Sequence, residues 1–199
     1  MDKETIKTYN LMAEAYDHET SSFWNKFPRT FIDKFRGSVE EGGLVLDVGS
    51  GPGRDGQILT QAGLKVICLD ASHSMGMMTH KKGLLTLGGD FLKIPLQADT
   101  IKAVWTYTSL LHVSKDEVKT ALIEINRILG HIGILGLGLI EGEGEYTNIK
   151  DGRKLPRHFA LYTKSEIVRL LNSTGFQPFY FEEFKPNSRN YLMSISRKI

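Results

Sequence analysis

The chain of 199 residues has one cysteine, Cys68, so it cannot close an intrachain disulfide or offer a cysteine cluster to zinc. Cys68 lies in Val66-Ile67-Cys68-Leu69, where it reads as a buried strand thiol. Charge of one sign is also lacking. Lys and Arg number 25 against 23 Asp and Glu, and a net charge of +2 gives no global field to draw nucleic acid or an anionic membrane. Long apolar runs are missing too. The longest, Ile132 to Ile140, is nine residues with three glycines, too short to span a bilayer. Met1-Asp2-Lys3-Glu4 is charged and no apolar stretch follows, so no secretory leader is expected and a reducing, cytoplasmic setting fits. There is no internal repeat and no low-complexity tract. With 41% hydrophobic and 24% charged residues, the composition is that of a globular protein, and the length suits one domain over 1–199.

Short apolar runs alternate with amphipathic stretches. Leu44–Val48, Lys65–Leu69, Leu84–Leu87, Ile101–Thr106 and Ile132–Leu139 read as buried strands of a parallel sheet covered on both faces. Ser114-Lys115-Asp116-Glu117 and Thr163-Lys164-Ser165-Glu166 read as capping boxes. The first opens a helix with apolar positions Val118, Ala121, Leu122, Ile125 and Ile128, which Gly130 can stop; the second opens a helix ending near Gly175. Gly63 suits the end of the helix after the first strand. An N-terminal helical cap over 1–40 includes a helix carrying Phe27, Phe31 and Phe35. At the other end, Phe176–Phe184 and Asn190–Ser196 are joined too closely for a parallel crossover, so they form an antiparallel hairpin. The expectation is an α/β, Rossmann-like, doubly wound sheet of seven strands, mostly parallel, with the last strand reversed. Between Glu141 and Tyr162 the pattern turns irregular, which suits either an acceptor-site loop or a solvated excursion.

The most informative stretch is Asp47-Val48-Gly49-Ser50-Gly51-Pro52-Gly53-Arg54-Asp55-Gly56, after the first strand and before a helix. Such a turn lets a ligand approach bare backbone at a helix N-terminus. Gly51-x-Gly53-x-x-Gly56, with Asp70 downstream, matches a dinucleotide fingerprint. Asp47-x-Gly49-x-Gly51-x-Gly53 matches the pattern of S-adenosylmethionine (SAM) sites. Three features favour the second reading. Asp47 at the strand end suits a cationic ligand better than a pyrophosphate. A further carboxylate, Asp90, stands beside Phe91. The chain also leaves little room for a second mononucleotide half and a substrate domain.

The sequence resembles the class I SAM-dependent methyltransferases, among them small-molecule enzymes of the ubiquinone-biosynthesis-like type. The resemblance rests on Tyr9-Asn10-x-x-Ala13-x-x-Tyr16-Asp17, Leu46 to Gly53, Leu69-Asp70-Ala71-Ser72, Gly89-Asp90-Phe91 and Val104 to His112. It implies that Gly49, Gly51 and Gly53, with Asp47 at the head of their motif, lie against the methionine part of SAM. It also implies that Asp70, with Ala71 beside it, takes the ribose hydroxyls, and that Asp90 reaches the adenine amino group while Phe91 flanks the ring. Tyr16 would close over the cofactor and Tyr107 would sit near the sulfonium; core packing is the other reading of Phe91 and Tyr107. Lys102-Ala103 and Gly130-His131-Ile132-Gly133 depart from the family's usual residues, both away from the cofactor contacts.

Methyl transfer from a sulfonium needs a general base only when the acceptor must lose a proton. His112 is the candidate base, or else a residue at a helix entry. Arg157 and Tyr162 are the candidate acceptor contacts, with Arg153 and Lys154 nearby, and a basic stretch of this kind suits an anionic acceptor or a solvated loop equally. No metal site is expected. The expected partner is a small-molecule acceptor, with no membrane. RNA is a second possibility because 142–199 holds 10 Lys and Arg against 6 Asp and Glu. A non-enzymatic SAM-binding regulator is a third.

Overall fold

The computed structural model describes residues 2–23, 25–149 and 155–199. Seven strands form one sheet: β1 (Leu44–Val48), β2 (Lys65–Asp70), β3 (Leu85–Gly88), β4 (Ile101–Tyr107), β5 (Leu129–Ile140), β8 (Phe176–Phe184) and β9 (Tyr191–Lys198). Their spatial order is β3-β2-β1-β4-β5-β9-β8. β1 to β5 pair in parallel, and β9 runs antiparallel to both β5 and β8, so the reversed last strand is present. The order changes direction at β1, whose neighbours are β2 and β4. The turns after β1 and β4 therefore open the crevice where ligands bind in sheets of this kind.

The helices are α1 (Lys3–Thr20), α2 (Arg29–Ser38), α3 (Arg54–Gln61), α4 (His73–Lys81), α5 (Val118–Ile128) and α6 (Lys164–Ser173), with a 3-10 turn at Leu110–His112. Phe31 and Phe35 of α2 pack on Trp105 of β4 at ring distances of 5.2 and 5.0 Å. Phe27 precedes α2, in a turn, and meets Tyr107 edge-on at 4.8 Å. The small residue at Gly136 of β5 makes this packing possible, since a Cβ there would stand 2.8 Å from the Phe35 ring. Cys68 is buried in β2.

Local signals held at some ends and failed at others. Thr163 and Glu166 form the reciprocal capping box of α6, and Gly63 (φ +89°) closes the turn after α3. Ser114 does not cap α5. A turn over 115–117 intervenes, the helix starts at Val118, and the Ser114 hydroxyl donates to the Glu117 carboxylate instead (3.1 Å). Gly130 does not stop that helix either. α5 runs straight into β5, and the Lys198 ammonium donates to the carbonyls of Asn126 (2.8 Å) and Leu129 (2.5 Å), doing the work of a C-cap.

The stretch read as irregular is an antiparallel pair, β6 (Glu145–Ile149) with β7 (Pro156–Ala160). β6 is almost wholly exposed, so it lacks the apolar alternation that marks a half-buried strand. α1 lies against β7 of this pair and against α4. The Thr8 hydroxyl donates to the Pro156 carbonyl (2.8 Å), the His158 amide donates to the Thr5 hydroxyl (2.9 Å), and the Asn10 side chain accepts from the Ser72 hydroxyl (2.9 Å). An ion pair from Asp17 to Arg54 (2.7 Å) ties the end of α1 to α3.

Candidate active site

A pocket opens at the carboxyl ends of β1, β2 and β4, under α1. Its floor is the glycine turn. Gly49 has φ +72° and faces Ser109, whose Cβ would be 2.2 Å from any Cβ placed there, so only glycine fits. Gly51 has φ +52°, and a Cβ on it would meet no protein atom within 4 Å; a side chain there would take up space in the pocket. Gly53 belongs to the packing beneath. It precedes α3 and sits against Thr79 and Leu84 rather than on the pocket wall.

Asp70, at the end of β2, accepts the Gly51 amide (2.8 Å) and the Ser72 amide (2.8 Å), so it braces the glycine turn while lining the pocket. Burial raises its pKa, and these amide donors oppose the rise. Asp70 also borders a shallower cleft on the other side, lined by Ala71, Gly88, Gly89 and Asp90. Phe91 is buried and reaches the main pocket from the β3 side, as Tyr107 does from β4.

Asp47 lines neither cavity. It lies 2% exposed under the turn, 4.0 Å from the Cys68 sulfur, and burial together with the charges of Asp55 and Asp70 raises its pKa well above the ordinary carboxylate range. The carboxylate that joins Asp70 on the wall is Asp55, in the first turn of α3. It accepts the Trp105 indole N–H (2.6 Å), and burial raises its pKa as well. Its signal was in the sequence, as the acid two residues after the last glycine of the motif.

Tyr16, Thr20, Thr108 and His112 line both this pocket and a second cavity beside it. Thr108 is β-branched yet has φ +53°, a strained conformation at the point where the chain leaves β4. Burial raises the pKa of the Tyr16 hydroxyl. His112 has both ring nitrogens engaged: Nδ1 is 2.6 Å from the His158 carbonyl and Nε2 is 2.8 Å from the Tyr9 hydroxyl. A carbonyl only accepts, so Nδ1 carries the proton and Nε2 accepts from Tyr9. Burial pushes the His112 pKa down to about 4.

Arg157 of β7 lines the second cavity, and Arg189, from the β8–β9 turn, joins it there. Their guanidinium carbons stand 5.5 and 5.6 Å from the Phe159 ring centre. Tyr162 does not reach either cavity. It is 3% exposed in the core with the Lys115 ammonium 5.0 Å from its ring, because the bridge between Glu141 and Tyr162 turns it away from the crevice. Arg153 and Lys154 lie outside the described residues. Tyr9 and Arg189 had been given no role. Tyr9 stood in the N-terminal motif, but nothing in local sequence shows that a turn 180 residues downstream meets it.

The profile of the methyltransferase domain family matches residues 45–133, from β1 into β5. Over these residues the chain is similar to methyltransferase domains. The demethylmenaquinone methyltransferase of Thermobifida fusca is 27% identical over 127 residues, covering 60% of this chain and 51% of that one, so the match spans about half of that relative. Among solved structures, the DhpI complex with S-adenosylhomocysteine superposes with a TM-score of 0.82 at 18% identity, covering 98% of this chain and 96% of that one. The 1,6-didemethyltoxoflavin N1-methyltransferase of Burkholderia thailandensis, with 1,6-didemethyltoxoflavin and S-adenosylhomocysteine bound, gives 0.74 at 19%, covering 96% and 88%. The likenesses to solved structures show a shared fold. Among the described residues, no helix is long and apolar enough to cross a membrane.

Proposed function

We propose that the protein transfers a methyl group from SAM to a small-molecule acceptor. The observation that carries this reading is the junction of two cavities at Tyr16, Thr108 and His112, one floored by the glycine turn and one walled by side chains of α1, β7 and β9. Bound SAM supplies a methyl group already activated by its sulfonium. Gly49 and Gly51 would give the methionine end bare backbone, and Asp70 would take the ribose between the main pocket and the cleft of Ala71 and Asp90. Phe91 would flank the base. Asp55, rather than Asp47, would face the ammonium group. Positioning the acceptor about 3 Å from the methyl carbon then supplies much of the acceleration. The two similar solved structures holding S-adenosylhomocysteine, one of them with 1,6-didemethyltoxoflavin also bound, support the reading.

Thermal melting tests the cofactor. SAM and S-adenosylhomocysteine should raise the melting temperature, because a ligand that binds only the native state stabilises it by mass action. NAD should not. A shift with NAD alone would overturn the reading.

A further inference from the structure

We propose that the acceptor is an oxyanion carried on an apolar body, held by Arg157 and Arg189, and that it is methylated on an oxygen that arrives already ionised, without a protein base. This rests on the methyltransferase reading above and names the substrate class of its second cavity.

The charge of the cavity is the first ground. Arg157 and Arg189 both stand against the Phe159 ring, and neither has an ion-pair partner within 4 Å among the described residues. The Arg157 Nε is buried with no hydrogen-bond partner, while the guanidinium carbon stands 5.8 Å from the Tyr9 ring centre. Two neighbouring cations, one with a desolvated spare donor, make a wall that an anion completes. A guanidinium fork matches the paired oxygens of a carboxylate or a phosphate. The rest of the wall is aromatic, from Tyr9, Tyr16, Phe23, Phe159 and Tyr191, which suits an apolar or ring-bearing body.

The lack of a free base is the second ground. His112 spends both nitrogens on the protein: Nδ1–H goes to the His158 carbonyl, and Nε2 is covered by the Tyr9 proton. Tyr9 in turn gives its proton to His112 and lays its ring against the Arg157 guanidinium (5.8 Å). Glu19, exposed on the same cavity, is a carboxylate, too weak a base to ionise an alcohol. A nucleophile that needs no deprotonation fits this arrangement. An acceptor oxygen already bearing negative charge forms the C–O bond as the C–S bond breaks, the bonding pair passes to sulfur, the sulfonium becomes a neutral thioether, and the oxyanion becomes a methyl ester with one negative charge fewer. No proton moves. His112 is then a positioning residue that fixes Tyr9, and Tyr9 fixes Arg157.

The probes are benzoate and phenyl phosphate, with benzyl alcohol and aniline as neutral counterparts. Calorimetry first measures S-adenosylhomocysteine binding. If the wild-type protein binds none, the methyltransferase reading fails by itself. With S-adenosylhomocysteine bound, benzoate or phenyl phosphate should bind; which of the two binds more tightly assigns the oxyanion. The Arg157→Gln/Arg189→Gln double variant should weaken that binding at least tenfold and leave S-adenosylhomocysteine affinity within twofold. Arg→Lys changes should restore part of the loss. With SAM, turnover of the bound anion should follow the pH dependence of S-adenosylhomocysteine binding, in which Asp55, raised by burial to about 7, titrates, and should show no further rising limb from pH 6.5 to 9. The groups facing His112 are Asp2, Tyr9, Arg157 and His158, and a base among them would instead give a rising limb. Failure of both anions to bind the wild-type complex, unchanged binding in the double variant, or methylation of the neutral probes in preference to the anions would each overturn the proposal.

Discussion

The two walls of the crevice are built by different means. The sheet-side wall comes from short turns after β1, β2 and β4, where backbone amides and glycines do most of the contacting. Asp70 braces Gly51, 19 residues before it, as well as the nearby Ser72 amide, and Gly49 is pressed against Ser109 so tightly that one added carbon would collide. The opposite wall comes from α1, β7 and the β8–β9 turn, and its surface is side chains: Tyr9, Tyr16, Arg157, Arg189 and Phe159. A backbone-built wall tolerates little change and holds whatever is common to all members of a fold. A wall of side chains on segments far apart in sequence can be rewritten without disturbing the sheet, so it is where an acceptor is chosen.

The sharpest way to break this comparison is Gly49→Ala. The new Cβ would stand 2.2 Å from the Ser109 Cβ at φ +72°, and overpacking together with a left-handed backbone should cost about 2–4 kcal/mol. Denaturant unfolding would read the loss, and SAM binding should vanish with it. The same change at Gly51 meets no protein atom, so Gly51→Ala should cost about 1 kcal/mol of stability, from backbone conformation alone. Its larger effect should be on SAM affinity. If the two variants lost equal stability, the close contact at Gly49 would not be what makes the first wall rigid.

His112 gives a pH test of the opposite wall. Its folded pKa of about 4 lies below the ordinary 6.5, so between these values the unfolded chain binds a proton that the native protein does not. Stability contributed by the neutral ring is present above pH 6.5 and is lost as pH falls towards 4, by about 3 kcal/mol in all. The buried carboxylates Asp47, Asp55 and Asp70 act in the opposite sense, since their raised pKa values favour the protonated native form as pH falls. The readout is therefore the difference between wild type and His112→Gln. Unfolding free energy measured from pH 7.5 to 4.5 should fall more steeply for the wild type. Equal slopes would mean that the Tyr9 and His158 contacts do not hold the ring neutral.

Asp70→Ala should have a middling effect. It removes the partner of two amides in the turn as well as the proposed ribose contact, so SAM affinity should drop by about 1–3 kcal/mol. Calorimetry at wild-type affinity would remove Asp70 from the site.

The split between the walls also explains what the sequence could tell. The parallel strands, the reversed β9, the glycine turn and Asp70 were legible, because each is written within one run of residues and a short spacing. Asp47 misled for the same reason. The motif marks the strand end correctly, but the pleat sends that side chain under the turn, leaving Asp55 on the wall one helical turn later. The β6–β7 pair was hidden because an exposed two-stranded arm needs no apolar alternation. Arg189 was hidden because its meeting with Tyr9 and Phe159 depends on β9 returning antiparallel beside β5, a consequence of the whole topology rather than of any local pattern. At Ser114 a good local cap lost to a turn that shortens α5.

The smallest expected effect probes the seam where the two walls meet. Asp17 at the end of α1 pairs with Arg54 at the start of α3 at 2.7 Å, and Lys82 stands 3.8 Å from the same carboxylate. These side chains are 19–25% exposed, so solvent and salt screen the pair, and Asp17→Asn should cost no more than about 1 kcal/mol of global stability. Arg54 lines the glycine-turn pocket, however, and would keep only its bond to the Asp17 backbone carbonyl, so the change loosens α1 over the site and leaves an uncompensated positive charge beside the proposed carboxylate end of SAM. The expected result is a small fall in melting temperature, together with SAM binding that becomes more sensitive to salt between 50 and 500 mM. The wild type should lose less affinity over that range, because Asp17 already neutralises the charge. If salt affected both proteins alike, the ion pair would be a surface contact with no bearing on how α1 closes the crevice.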